Sequence, residues 1–252
     1  MTLVSEPALA TAHADRSFPR LHPRPASGWV NDPNGILHLD GRWHVFFQYN
    51  PASARHADIC WGHVSSADLV TWDEHPIALR PQAGGRDAFG CWSGVGAVVD
   101  GIPTLVYSGV QALDDRSDAL IVRGAPDASA WGPERTVAAP MPADPRLRVV
   151  RDPFLFEVGG RRWALQGAGY ADTGGALLLY DATDLDSWTE RGVLLGTDDA
   201  VAAGLPECDA WECPQLVRVG EEWGADLLAL APRRRAPRSR VHRRRAGRRR
   251  GR

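Results

Sequence analysis

The chain has 252 residues, 44% of them hydrophobic, with ten tryptophans and 31 acidic against 29 basic side chains, a formal net charge of −2. That length supports a sizeable core in one or two domains, and no apolar run approaches the roughly eighteen residues of a membrane span, which excludes a membrane partner on this reading. Every basic residue is arginine; twelve lie in 233–252, which contain no acid, so 17 arginines face 31 acids elsewhere, and this body charge of −14 argues against nucleic acid as the partner of the main fold.

Residues 1–28 read as an irregular lead-in rich in Pro and Arg. The opening MTLVSEPALATAHADRSFPR has no basic start and no sustained apolar stretch. It does not read as a secretory signal, and a cytoplasmic protein is expected. From Trp29 onward the text is strand-like: GILHL and WHVFFQY flank Asp40-Gly41, a two-residue hairpin signal.

The same pattern then recurs. Asn31-Asp32-Pro33, Trp92-Ser93-Gly94, Arg151-Asp152-Pro153 and Trp211-Glu212-Cys213 each run into a short apolar stretch, a Gly-containing turn and a second apolar stretch. Steps of 61, 59 and 60 residues separate Asp32, Ser93, Asp152 and Glu212. A second landmark, an Asp followed by a Trp, recurs as SSADLVTW (65–72), APDASAW (125–131) and DATDLDSW (181–188). It is expected on an outer strand, with the indole packed between neighbouring repeats. A fixed period of this size signals a repeat architecture. Short strands, frequent turns and almost no helical periodicity indicate an all-β protein. About sixty residues suffice for a four-stranded sheet, and such sheets repeated around a channel make a β-propeller. A β-sandwich is the runner-up, disfavoured by the period.

The predicted organisation is a partial β-propeller over 29–231, followed by an Arg-rich disordered tail at 232–252. The tail has no apolar period and can form no core. It is read as a possible out-of-frame end, in preference to a basic arm for nucleic acid or anionic membrane. Cys60, Cys91, Cys208 and Cys213 form no CxxC pair and have no His at zinc-like spacing. They are expected as buried reduced thiols, and neither a metal site nor a cofactor is expected.

The repeat brings three carboxylates to equivalent positions, and paired carboxylates are the raw material of glycoside hydrolysis. Asp32 enters a Pro-Asn-Gly turn at the mouth of a strand. Glu212 lies between Trp211 and Cys213, an apolar setting that raises a carboxyl pKa. Any one of these segments alone is an ordinary turn or ion pair; the three at matching positions are specific.

GWVNDPNG (28–35), FFQYNP (46–51), WGHVSSADLVTW (61–72), CWSG (91–94), RDP (151–153) and WECP (211–214), in this order and spacing, resemble glycoside hydrolase family 32, the β-fructofuranosidases. The resemblance implies a five-bladed propeller followed by a β-sandwich, of which about three and a half blades lie in this chain and the sandwich is missing. It implies retaining double displacement, with Asp32 as nucleophile, Glu212 as general acid/base and Asp152 as transition-state stabiliser. It implies that Arg151 steers these carboxylates. Asn31, Gln48 and Ser93 would hydrogen-bond the fructosyl ring, and Trp61 and Trp92 would form aromatic walls. The implied partner is a small carbohydrate: sucrose, sucrose-6-phosphate or a fructan. The alternative is an inactive truncated fragment, or a fructan-binding propeller without turnover. Two departures stand out: His56 replaces a common Trp at the pocket rim, and Val95 follows Trp92-Ser93-Gly94 where a serine is frequent. His56 and His63 are expected at the rim or in structural roles, and the implied mechanism needs no metal.

Overall fold

The computed structural model describes residues 17, 19, 22–112 and 114–230. The Arg-rich tail at 232–252 and most of the lead-in at 1–28 lie outside the described residues. Strands dominate, and the helical content among the described residues is a single 3-10 turn at Ala200–Ala202. None of the described helices is long and apolar enough to cross a membrane.

Three four-stranded antiparallel sheets follow one another, each ordered in space as in sequence. Blade 1 holds β1 (Trp29–Leu39), β2 (Arg42–Asn50), β3 (Cys60–Ser66) and β4 (Asp73–Leu79). Blade 2 holds β5 (Gly90–Val99), β6 (Ile102–Val110), β7 (Ser117–Arg123) and β8 (Thr136–Ala139). Blade 3 holds β9 (Leu147–Val158), β10 (Arg161–Tyr170), β11 (Gly174–Asp181) and β12 (Thr189–Gly196). A two-stranded sheet of β13 (Ala210–Val219) and β14 (Glu222–Leu230) completes the described fold. The first strand of each sheet packs on the first strand of the next: β1 on β5, β5 on β9, β9 on β13. This is the arrangement of a partial β-propeller, with the first strands innermost.

The sequence explains the hairpins. Asp40-Gly41 and Asp100-Gly101 join the first two strands of blades 1 and 2, and both residues of each pair have positive φ (48° and 75°; 51° and 78°). That is the two-residue turn whose twist matches paired strands. The Asp–Trp landmark lies on the loop between the third and fourth strands, not on the outer strand as expected. The reason is local. Asp68 Oδ1 accepts bonds from the Val70 and Thr71 amides, Asp127 Oδ1 from Ser129 and Asp184 Oδ1 from Asp186. These side chains act as turn formers.

The core lies between blades. Phe46, Trp61, Leu105, Tyr107 and Leu120, with Trp131, fill the space between blades 1 and 2. Val106, Ile121, Val150, Leu178, Tyr180 and Trp188 fill that between blades 2 and 3. Trp131 meets Phe46 edge-on at 5.4 Å, so that indole bridges repeats; Trp188 packs in the cluster shared by blades 2 and 3, and its backbone amide donates to Ala138 O at 2.7 Å. Trp72 packs instead beside Phe47, Tyr49 and Val64 of its own blade. Close approach of adjacent blades requires missing side chains: a Cβ on Gly96 would stand 2.5 Å from Gly35 O, and one on Gly167 2.3 Å from Trp211 O.

Candidate active site

Each inner strand is interrupted at the repeated polar position or, in β13, directly after it. The β1–β2 register skips Asn31-Asp32, the β5–β6 register skips Ser93, the β9–β10 register skips Asp152-Pro153 and the β13–β14 register skips Cys213-Pro214. A bulge leaves residues out of the ladder and re-aims their side chains. Four bulges at one level of a wheel point at the same axial space. Two of them carry left-handed backbone on residues with side chains, Asp152 at φ 57° and Cys213 at φ 47°. Both precede proline, which disfavours helical backbone at that position. Such conformations cost on the order of 1–3 kcal/mol each and persist where the surrounding structure over-determines them.

An open cavity of about 210 Å³ sits over these bulges. Asn31, Asp32, Gln48, His56, Trp92, Ser93, Arg151, Asp152, Glu212 and Cys213 line it. A second cavity of about 190 Å³ shares Asp32, Ser93, Asp152 and Cys213, so this ring of four forms a waist between the two spaces.

Hydrogen bonds tie the waist together across blades. Ser93 Oγ donates to Asp32 Oδ2 at 2.7 Å, and Gln48 Nε2 donates to the same oxygen at 3.2 Å and to Ser93 Oγ. The Cys213 amide donates to Asp152 Oδ2 at 2.9 Å, linking blade 3 to β13. Arg151 pairs with Glu212, stands 3.8 Å from Asp115 and 4.0 Å from Asp152 Oδ2, and lies 5.5 Å from the centre of the Trp92 ring. Trp29 Nε1 donates to Asn31 Oδ1 at 2.8 Å, fixing that amide. Gln48 is buried, and its Oε1 has no hydrogen-bond partner among the described residues.

The electrostatics separate the carboxyls. Asp152 is 5% exposed, and burial pushes its pKa up against the opposing pull of Arg151 and the Cys213 amide. Glu212 is also raised, first by burial and then by Asp152 and Asp32, with Arg151 again opposing. Burial and mutual repulsion therefore make Asp152 and Glu212 harder to ionise than ordinary carboxyls. The arrangement can present an ionised carboxylate and a protonated one to a single small molecule. That pairing serves general acid catalysis and nucleophilic attack.

Eight of the nine residues expected at the site line this cavity; Trp61 does not. Trp61 is fully buried behind Trp92, and its indole donates to Trp92 O at 3.2 Å. It supports a wall and is not itself one. His56 is at the rim, edge-on to Trp92 at 5.4 Å. Cys60, Cys91 and Cys208 are buried and outside any disulfide, whereas Cys213 is half-buried and faces the cavity because its bulge turns it there.

Sequence reasoning missed Ser108 and Asp115. Ser108 Oγ donates to Ser93 O at 3.0 Å and accepts from the Asp152 amide at 2.7 Å, coupling the bulges of blades 2 and 3. Its signal was present, because Ser108 closes the second apolar run of its repeat as Gln48 and Gln166 close theirs. Asp115 lies in a loop with no repeat signature. Linear spacing also gives no sign that His44, His63 and His75 bring ring nitrogens within 4.8 Å of one another. Cross-strand pairing makes that cluster, and linear spacing hides it.

Comparison with known proteins gives a consistent picture. The glycosyl hydrolases family 32 N-terminal domain matches residues 22–240. The chain is 37% identical to sucrose-6-phosphate hydrolase of Klebsiella pneumoniae over 207 residues, covering 81% of this chain and 43% of that protein. Among solved structures, sucrose-6-phosphate hydrolase of Lactobacillus gasseri aligns with TM-score 0.69 and 30% identity, covering 80% of this chain and 40% of that one. A fructan 1-exohydrolase IIa of Cichorium intybus, solved in complex with 1-kestose, aligns with TM-score 0.64 and 30% identity over 77% of this chain and 36% of that one. The chain thus spans about two fifths of the length of these relatives.

Proposed function

This chain belongs to glycoside hydrolase family 32, and from that premise we propose that its axial cavity binds a terminal β-fructofuranosyl unit and cleaves the glycosidic bond with retention. The observation that carries the reading is the convergence of Asp32, Asp152 and Glu212, from three separate sheets, on one cavity. In this reading Asp32 is the nucleophile. Two donors on one of its oxygens, Ser93 Oγ and Gln48 Nε2, orient the carboxylate. Glu212 is the acid/base: a raised pKa lets it hold a proton for the leaving oxygen, and the ionised form then activates water. Asp152 holds fructosyl hydroxyls as positive charge grows on the ring. Asn31 and the unpaired Oε1 of Gln48 offer further polar contacts, and Trp92 a flat apolar wall.

Arg151 has two effects in this scheme. Its guanidinium favours ionised Glu212, and its seat over Trp92 fixes the indole. The substrate is a small fructoside, with sucrose, sucrose-6-phosphate and short fructans all presenting the same terminal unit. The test is sucrose and 1-kestose hydrolysis by the chain and its variants. Asp32→Asn and Glu212→Gln are each expected to lower kcat by three or more orders of magnitude, about what loss of one essential group costs. Turnover near that of the parent chain in either variant would overturn the assignment.

A further inference from the structure

Away from the axial cavity, blade 1 carries a second concentration of chemistry on its face toward blade 2. His44 comes from β2, His63 from β3 and His75 from β4. His63 pairs in register with His75 and His44 with Ser65, two residues along β3 from His63. Strand alternation therefore sets all four side chains on one face. His44 Nδ1 stands 3.0 Å from His63 Nε2, and His75 Nε2 stands 2.8 Å from Ser65 Oγ. The His63 ring is stacked between Phe46 and His75, each at 4.2 Å.

As mere filling, this cluster is costly. His63 is 2% exposed, and its Nδ1 has no hydrogen-bond partner among the described residues. A buried polar atom left unpaired costs about 1–3 kcal/mol. As a ligand set, it is already gathered, with one ring nitrogen from each histidine within 4.8 Å of the others. Metal binding needs neutral imidazole. Burial holds all three below the usual histidine value, joined by the His75 and His44 rings at His63, which falls to about 2, by the His75 ring at His44, and by Arg42 at His75. The surrounding charge is mixed. Asp127, from the loop of blade 2, and Asp40 favour a cation near His44; Arg42 opposes it but is paired with Asp73 and donates to Ser65.

We propose that His44, His63 and His75 form a binding site for a divalent transition-metal cation of the zinc class, clamping β2, β3 and β4 of blade 1. Imidazole is a ligand of choice for such ions. Three nitrogens leave a position for water. None of the three lines the axial cavity, so the clamp is structural and its test does not depend on hydrolysis.

The experiment is calorimetric titration of the chelator-treated chain with zinc, with cobalt(II) as a spectroscopic probe. One tight equivalent is expected, with a ligand-field absorption band for cobalt and a raised Tm. His75→Gln alters the least buried member. It is expected to lower zinc affinity by at least the roughly 10- to 100-fold that loss of even a ligand's partner costs, and to abolish the cobalt band. The circular dichroism of the metal-free protein should stay unchanged. His44→Gln should repeat the effect, and His38→Gln, on an exposed position of β1, should bind as the parent does. No saturable equivalent, or parent-like affinity in both His75→Gln and His44→Gln, overturns the proposal.

Discussion

Burial raises both Asp152 and Glu212, but the two sit in different company. Glu212 has Arg151 directly against it, and that charge moderates its rise. Replacing Arg151 by Gln removes the moderation, so Glu212 should keep its proton to higher pH. The alkaline limb of the kcat/KM profile for sucrose is expected to move upward while kcat falls; a purely packing role for Arg151 would lower the whole profile without moving the limb. Asp152 likewise has a folded pKa above its ordinary 3.8. The folded chain then binds more protons than the unfolded chain, and Asp152 costs stability increasingly as pH rises from about 3.8 through the folded pKa. Asp152→Asn should therefore stabilise the fold at neutral pH, with the gain fading toward pH 4. Urea melts at both pH values test this, and equal gains at the two would contradict it.

The element that makes the site is the bulged inner strand. A straight β9 would send Asp152 into the ladder; the bulge sends it to the axis, held from two sides by the Ser108 hydroxyl and the Cys213 amide. Adjacent blades must also approach closely, and β10 reaches β13 only because Gly167 sits beneath Trp211 O. Gly167→Ala places a Cβ where backbone must move, and overpacking of this kind costs about 1–3 kcal/mol. Gly204, in open space, serves as the control, with Gly204→Ala expected within about 0.5 kcal/mol of the parent. Equal stability of the two variants in denaturant would show that the blades do not need this contact.

At this scale the sequence was most legible. Polar residues at steps near sixty marked the bulges before any coordinate, and Asp-Gly pairs marked the hairpins. What stayed hidden depends on which residue lies across a strand pair or a blade boundary. Trp61 reads like Trp92 in sequence, yet alternation sends one into the core and the other to the cavity. The histidine cluster likewise exists only once β2, β3 and β4 are in register.

Across the whole molecule, the fold turns distance along the chain into proximity. Asp32 and Glu212 lie 180 residues apart in sequence and line one cavity. The account depends on those two groups acting in succession on one sugar. Retaining chemistry requires a covalent fructosyl-enzyme on the nucleophile, released only when the acid/base activates water. The most direct measurement is mass spectrometry of Glu212→Gln after exposure to a fructoside with a good leaving group. The adduct, one anhydrofructose in mass, is predicted on the peptide carrying Asp32 and absent from the double variant with Asp32→Asn. An adduct on any other residue, or fructose release through a single inverting step with no adduct, would contradict it.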